Sequence, residues 1–186
     1  MTRLQFATRS RGRPVLGAAV AIAMLAALSL ASVVQAQPGP ASIEYRNARY
    51  GFSLRIPGDV LAPGSTRNAE AGGLWLSHDG QARLVAAAQA NETRETLQGY
   101  RRFLMETTYE QASIEYAPTR DAWFVLSGKT KDGQLFYERV TFACDGRYIY
   151  GWQLTYPPAE RQRYDRIVEA IHRSYRVGQG ENGNCG

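Results

Sequence analysis

Apolar and polar residues alternate over several short stretches of this chain, and an Asp-Gly pair separates consecutive stretches. A period of two is typical of β-strands, and Asp-Gly tolerates the positive φ values of tight hairpins. The pairs Asp79-Gly80, Asp132-Gly133 and Asp145-Gly146 therefore predict three antiparallel hairpins. The strands are Leu74–Ser77 with Arg83–Ala88, Trp123–Gly128 with Leu135–Phe142, and the latter with Tyr148–Tyr156; Ile43–Arg46 and Phe52–Ile56 form a further pair.

Two segments change to a helical period. Thr93–Thr108 begins at Thr93 as the N-cap, and Ala159–Arg176 is opened by Pro157-Pro158 and closed by Gly178. Their apolar stripes are Leu97, Tyr100, Phe103, Leu104 and Thr107 in the first, and Tyr164, Ile167, Val168, Ile171 and Tyr175 in the second. Each stripe needs a sheet to cover. Strands, helix, strands and helix in that order predict an α+β domain built on a central antiparallel sheet.

The first 36 residues have the pattern of a secretory signal peptide. Arg3, Arg9, Arg11 and Arg13 precede an apolar run that ends in Val34-Gln35-Ala36, so cleavage is predicted after Ala36. A retained membrane anchor is the alternative, because the run is about as long as a membrane-spanning helix. The high alanine content of the run and the small residues Val34 and Ala36 at its end favour cleavage. The pattern predicts a periplasmic or secreted protein, without stable membrane insertion after cleavage.

The predicted cleavage changes the charge of the chain. The full sequence has 22 basic and 17 acidic residues, and the leader carries four arginines and no acid, which leaves 18 basic residues against 17 acidic ones. No dense run of Lys and Arg remains, which argues against a nucleic-acid partner. The expected organisation is a linker at 37–42, one domain at 43–178 and a Gly-rich tail at 179–186.

The chain has two cysteines, Cys144 and Cys185. An even pair in an oxidising compartment predicts a disulfide. The bond would tether the Gly-rich tail to the end of the strand Leu135–Phe142.

The strand Tyr148–Tyr156 carries the strongest local pattern. Tyr148, Tyr150, Trp152, Leu154 and Tyr156 share one face. One interpretation is a core face beneath a helix. The other is an aromatic binding face for a ligand or partner, formed by Tyr148, Tyr150, Trp152 and Tyr156, with Trp75 or Trp123 as walls.

The candidate catalytic residues do not form a recognisable catalytic motif in the sequence. His78 precedes a turn, His172 lies on the flank of the last helix, and Ser127 lacks the Gly-x-Ser-x-Gly elbow of a hydrolase. Glu115 and Glu138 are interpreted as ordinary charges on strand surfaces. The sequence therefore predicts no catalytic residues, no metal and no cofactor.

Ordered segments of the chain resemble PsbP/Mog-like domains. The resemblance opens with Tyr45-Arg46-Asn47-Ala48-Arg49-Tyr50-Gly51-Phe52-Ser53-Leu54-Arg55-Ile56-Pro57 and continues with Ser77–Ala82, Trp123–Gly128, Phe136–Arg139 and Leu154–Pro157. It implies an α/β/α sandwich, with helices packed on both faces of the antiparallel sheet. The superfamily includes a photosystem extrinsic subunit, a Ran-binding nuclear protein and many exported bacterial proteins. The resemblance thus implies a docking scaffold and no shared catalytic residues.

These observations together predict a non-catalytic accessory or binding module of the cell envelope, which docks a protein partner. The alternative is a small-ligand carrier that uses the aromatic face. A hydrolase is a more distant alternative.

Overall fold

The computed structural model describes residues 41–66, 68–178 and 185. The predicted leader 1–36, its cleavage site and most of the tail 179–186 lie outside the described residues. The strands are β1 (Ser42–Arg46), β2 (Ser53–Pro57), β3 (Leu61–Pro63), β4 (Gly72–Ser77), β5 (Arg83–Ala90), β6 (Ser113–Tyr116), β7 (Trp123–Lys129), β8 (Leu135–Ala143) and β9 (Tyr148–Tyr156). The helices are α1 (Leu97–Glu106) and α2 (Arg161–Ser174), the latter preceded by a 3-10 turn over Pro158–Glu160.

Seven strands form one antiparallel sheet in the order β3-β4-β5-β9-β8-β7-β6, and β1 pairs with β2 in a separate hairpin. The three predicted Asp-Gly hairpins are confirmed. Gly80, Gly133 and Gly146 all have positive φ, between 71° and 88°. Strand β9 lies between β5 and β8, so the last strand of the sheet joins its two halves.

One face of the sheet, here the α2 face, is covered by α2 and the β1–β2 hairpin. The predicted apolar stripe of α2 is confirmed, because all five of its residues are buried. From the hairpin, Phe52, Leu54 and Ile56 enter the same core. These side chains meet the residues of β5 and β9 that point to this face.

The opposite face, here the α1 face, is covered only in part. Leu104 of α1 packs on a cluster drawn from β7, β8 and β9, whose members are Phe124, Leu126, Phe136, Val140, Phe142 and Ile149. On β4 and β5 the same face stays accessible, since Leu76 is exposed and Val85 is half-buried. Helices therefore lie on both faces, as predicted, and α1 leaves one side of its face open.

The predicted N-cap of the first helix is wrong by three residues. Helix α1 begins at Leu97 and is capped by Thr96, whose Oγ1 accepts a hydrogen bond of 3.0 Å from the Gly99 amide. Thr93 instead lies in a turn that the buried Asn91 side chain holds, by bonds with the backbone of Glu95. Because residues 91–95 form this turn, the helix begins only after it. The predicted stripe of α1 is also incomplete, because Phe103 and Thr107 are exposed.

Helix α2 ends before the predicted Arg176. Tyr175 is extended, at φ −63° and ψ 123°, and Arg176 then exchanges two backbone hydrogen bonds with Ser53 of β2. The end of α2 is therefore fixed by pairing with the hairpin, and Gly178 is not its terminator.

Cys144 follows β8, in the turn that leads to β9, and its Sγ lies 1.96 Å from the Sγ of Cys185. The two Cα atoms are 5.1 Å apart, which is within the range of disulfides. The pair closes a sequence separation of 41 residues.

Candidate functional site

The predicted aromatic face lies mostly in the interior of the protein. Tyr150, Trp152 and Tyr156 are each no more than 4% exposed, beneath α2 and the β1–β2 hairpin. Tyr148, at the strand end, is half-buried with its ring 6.1 Å from that of Tyr50. The structure thus agrees with the core interpretation of this face, and these side chains form no open groove.

The tryptophans proposed as walls are separated from each other. Trp75 is buried against Tyr45, whose ring centroid lies 4.8 Å away. Trp123 is half-buried on β7, which β5, β9 and β8 separate from the strand of Trp75. It lies under the guanidinium of Arg139, which is 4.4 Å from its ring centroid. The structure does not bring the two indoles together.

An open recess lies instead on the α1 face, where the helix leaves the sheet uncovered. We call it the α1 groove. Its volume is about 420 Å³, within the usual range of ligand sites. Its lining comes from the strands, from α1 and from the turn after α1: Val85, Ala87, Ala88, Glu138, Val140, Ile149, Gly151, Trp152 and Gln153, then Tyr100 and Leu104, then Thr108; Tyr50, Asn68, Ala71, Arg83 and Gln89 also border it.

The depth of the α1 groove depends on small residues in its floor. Gly151 of β9 pairs with Ala87 of β5 and with Val140 of β8, so all three point to the α1 face. A Cβ at Gly151 would have the Arg139 carbonyl oxygen at 3.6 Å and the Val140 Cγ2 at 4.0 Å, both ordinary contacts. A larger side chain at position 151 would therefore extend into the groove without displacing the backbone.

Glu138 is the carboxylate of the α1 groove. Tyr109, in the turn after α1, stacks on Phe136 with ring centroids 4.2 Å apart. Its hydroxyl donates a hydrogen bond of 2.5 Å to Glu138 Oε2, and it accepts one of 2.6 Å from Gln153 Nε2. Through these two hydrogen bonds, the buried phenol of Tyr109 holds the carboxylate of Glu138 in one orientation.

The electrostatics of the α1 groove follow from burial. Burial raises the pKa of Glu138, although the hydrogen bond from Tyr109 opposes that shift. Burial, followed by the nearby Glu138, raises the pKa of both Tyr100 and Tyr109. Within the described part of the chain, no Lys, Arg or His forms an ion pair with Glu138. Among the described residues, the carboxylate of Glu138 therefore has no ion-pair partner.

Glu138 was not predicted as a site residue, and its interpretation as an ordinary surface charge is wrong. It lies on the α1 face between Phe136 and Val140, next to Gln153 of β9. A usable signal was present in the sequence. Phe136, Glu138, Val140 and Phe142 alternate on one face of a strand, so a lone carboxylate among apolar residues marks a half-buried position.

The two histidines lie on different elements, and neither lines the α1 groove. His78 is exposed in the turn after β4, and His172 is exposed on the flank of α2, as predicted. His172 Nδ1 lies 3.2 Å from Arg139 Nη1, on the α2 face. Burial, followed by the charge of Arg139, lowers the pKa of His172. Neither histidine can act as a base beside Glu138.

In residues 41–66 and 68–178, no group of three or more His, Cys, Asp or Glu side chains is arranged to hold a metal ion. No helix in the same ranges is both long and apolar enough to cross a membrane.

Comparisons with known proteins identify the fold. No protein-family model and no curated protein matches the sequence. The solution structure of the cyanobacterial PsbP protein CyanoP from Synechocystis sp. PCC 6803 is similar, with a TM-score of 0.58 and 14% identity over 80% of this chain and 98% of that chain. The Ran-binding protein Mog1p of Saccharomyces cerevisiae matches with a TM-score of 0.47 and 9% identity, over 74% of this chain and 95% of that chain. The predicted PsbP/Mog-like α+β fold is confirmed by the first of these structures.

Proposed function

We propose that this protein is a non-catalytic binding module of the cell envelope, and that a protein partner docks at the α1 groove. The observation that carries the proposal is the open half of the α1 face. A sheet face that is only half covered by its helix leaves apolar and hydrogen-bonding side chains available to a partner.

Exposed aromatic surface beside the groove supports docking at this place. Phe103 of α1 is 53% exposed, and its ring centroid lies 6.1 Å from that of Tyr100 in the groove wall. Leu76 of β4 adds exposed apolar surface on the same face of the sheet. Aromatic residues are enriched at protein interfaces. The resemblance to a family of docking scaffolds points in the same direction.

Export rests on the leader pattern of residues 1–36. A cysteine pair at disulfide distance is compatible with an oxidising compartment. Mass spectrometry of the protein taken from the envelope tests this part of the proposal. We expect a mature chain that begins at Gln37. A species that retains residues 1–36 in the inner membrane would contradict export with cleavage.

Site-specific photo-crosslinking tests the docking part. A photoreactive phenylalanine is placed at Phe103, beside the groove, or at Tyr116, which is 57% exposed on β6 and serves as the matched control. The expected result is a reproducible protein adduct from position 103 in envelope extracts and none from position 116. Equal yields from both positions, or none from either, would overturn docking at the α1 groove.

A small-ligand carrier is the second candidate function. The aromatic face no longer supports it, because that face is core, but the volume of the α1 groove does. Native mass spectrometry of the purified protein distinguishes the two candidates. A co-purifying small molecule, together with no crosslinked protein, would favour the carrier.

A further inference from the structure

We propose that the α1 groove recognises the cationic side chain of a lysine or arginine in the docked partner, with Glu138 as its counter-ion. This inference rests on the proposed docking function. It adds the chemistry of the group that is bound.

Among the described residues, the carboxylate of Glu138 has no cationic partner. Glu138 is half-buried, and a carboxylate that is partly withdrawn from water is stabilised by a counter-ion, because its removal from water is costly. Glu138 Oε2 accepts the bond from Tyr109, and no described residue donates a hydrogen bond to Oε1. Arg83 borders the groove, but it is exposed and forms no ion pair with Glu138 among the described residues. A cation supplied from outside would complete the site.

The walls of the groove match the rest of such a side chain. Lysine and arginine carry a charged head on an apolar stem. Val85, Ala87 and Ile149 provide apolar surface for the stem, and Gly151 leaves room above the floor. Tyr100 also lines the wall, and aromatic rings attract cations. An uncharged apolar residue would leave the carboxylate unpaired.

The site also makes binding dependent on pH. Burial raises the pKa of Glu138 and so helps the carboxyl to retain its proton. A bound cation favours the ionised carboxylate, so cation binding releases that proton. The other titratable groups at the groove are Tyr50, Tyr100, Tyr109 and Arg83. The pKa values of Tyr100 and Tyr109 are raised, so these two phenols stay neutral near neutral pH. Affinity should therefore rise with pH as Glu138 ionises.

An NMR titration with two small probes tests the inference. Nα-acetyl-lysine N-methylamide carries the charge, and Nα-acetyl-norleucine N-methylamide has a similar stem without it. The amide signals of Val85 and Gly151 and the carboxyl carbon of Glu138 report binding. We expect saturable shifts with the lysine probe and at least about tenfold weaker binding of the norleucine probe. Equal affinity for both probes would overturn the inference.

Two variants separate a specific ion pair from general attraction. Glu138→Gln removes the charge within the groove, and Glu106→Gln makes the same change at an exposed position of α1. The expected result is loss of lysine-probe binding in E138Q and retention in E106Q, with both proteins giving folded spectra. Equal binding by wild type and E138Q would contradict a role for Glu138.

The crosslinking result distinguishes this inference from the proposed function. A partner captured at position 103 without lysine-probe binding would sustain docking and reject the cation. Binding of the lysine probe without any captured protein would reject a partner side chain as the occupant and assign the groove to a free organic amine.

Discussion

Tyr109 and Glu138 are 29 positions apart in the sequence and are joined by a hydrogen bond of 2.5 Å between the phenol oxygen and Oε2 of the carboxylate. The bond connects the turn after α1 to the middle of β8. Gln153 donates a hydrogen bond to the same phenol from β9. The position of the helix and the position of the carboxylate therefore depend on one another.

Removal of the Tyr109 hydroxyl should destabilise the fold. In Tyr109→Phe the ring still stacks on Phe136, but Glu138 loses its donor and Gln153 loses its acceptor. Loss of a hydrogen bond to a buried acceptor costs about 1–3 kcal/mol in the free energy of unfolding. Urea denaturation measures it. Tyr116→Phe removes the same atom from an exposed side chain and should change stability by less than about 0.5 kcal/mol. A Y109F protein as stable as wild type would show that this bond contributes nothing.

The raised pKa of Glu138 predicts a pH dependence of stability. Because the folded protein holds this proton more tightly than the unfolded chain does, the stability from Glu138 is complete below the unfolded pKa, near 4.5. It falls as pH rises through the folded pKa. In Glu138→Gln this fall is absent, so the stability of E138Q relative to wild type should increase with pH. Urea midpoints of both proteins between about pH 4 and about pH 8 measure it; parallel curves would refute the assignment.

Loss of the cysteine bridge should cost several kcal/mol. For a separation of 41 residues, the chain-entropy model gives about 4 kcal/mol in the free energy of unfolding. The double variant Cys144→Ser/Cys185→Ser is compared with wild type by denaturant unfolding. Alkylation without reduction supplies the control. Two reactive thiols in the native protein from the envelope would show that the bridge does not form there.

The cap of α1 offers a paired test. Thr96→Ala removes the acceptor of the Gly99 amide and should cost about 1 kcal/mol. Thr93→Ala, three residues earlier, changes an exposed turn residue and should alter the unfolding free energy by less than about 0.5 kcal/mol. A larger loss of unfolding free energy in T93A than in T96A would indicate that Thr93 is the N-cap.

The parts of the fold that depend on local chemistry could be predicted from the sequence. The Asp-Gly turns fix the hairpins through the backbone conformations that they tolerate, and the period of α2 identifies its buried stripe. Strands β3 and β6 were missed because three or four residues carry too little periodicity. The start of α1 was misplaced because the side chain of Asn91 bonds to Gly146, 55 residues away. Such a contact leaves no local signal.

The candidate site could not be found in the same way. The aromatic pattern of β9 has the same periodicity whether it lines a groove or a core, and only the position of α2 decides between them. Glu138 becomes a groove residue because β9 inserts between β5 and β8, which places Gly151 and Gln153 beside it. Strand order of this kind depends on pairing between distant segments. The surrounding Phe136 and Val140 give the one local indication.

Docking in the α1 groove is tested by partner capture with Gly151→Val, a variant whose added side chain fills the groove from its floor. Valine is favoured in strands, and the added Cβ meets only ordinary contacts, so the melting temperature should be unchanged or higher. Ser113→Val, at an exposed position of the edge strand β6, is the matched control. After photo-crosslinking at position 103, we predict at least about a tenfold loss of captured partner with G151V and full capture with S113V. Full capture by a folded G151V protein would show that the partner does not enter the α1 groove.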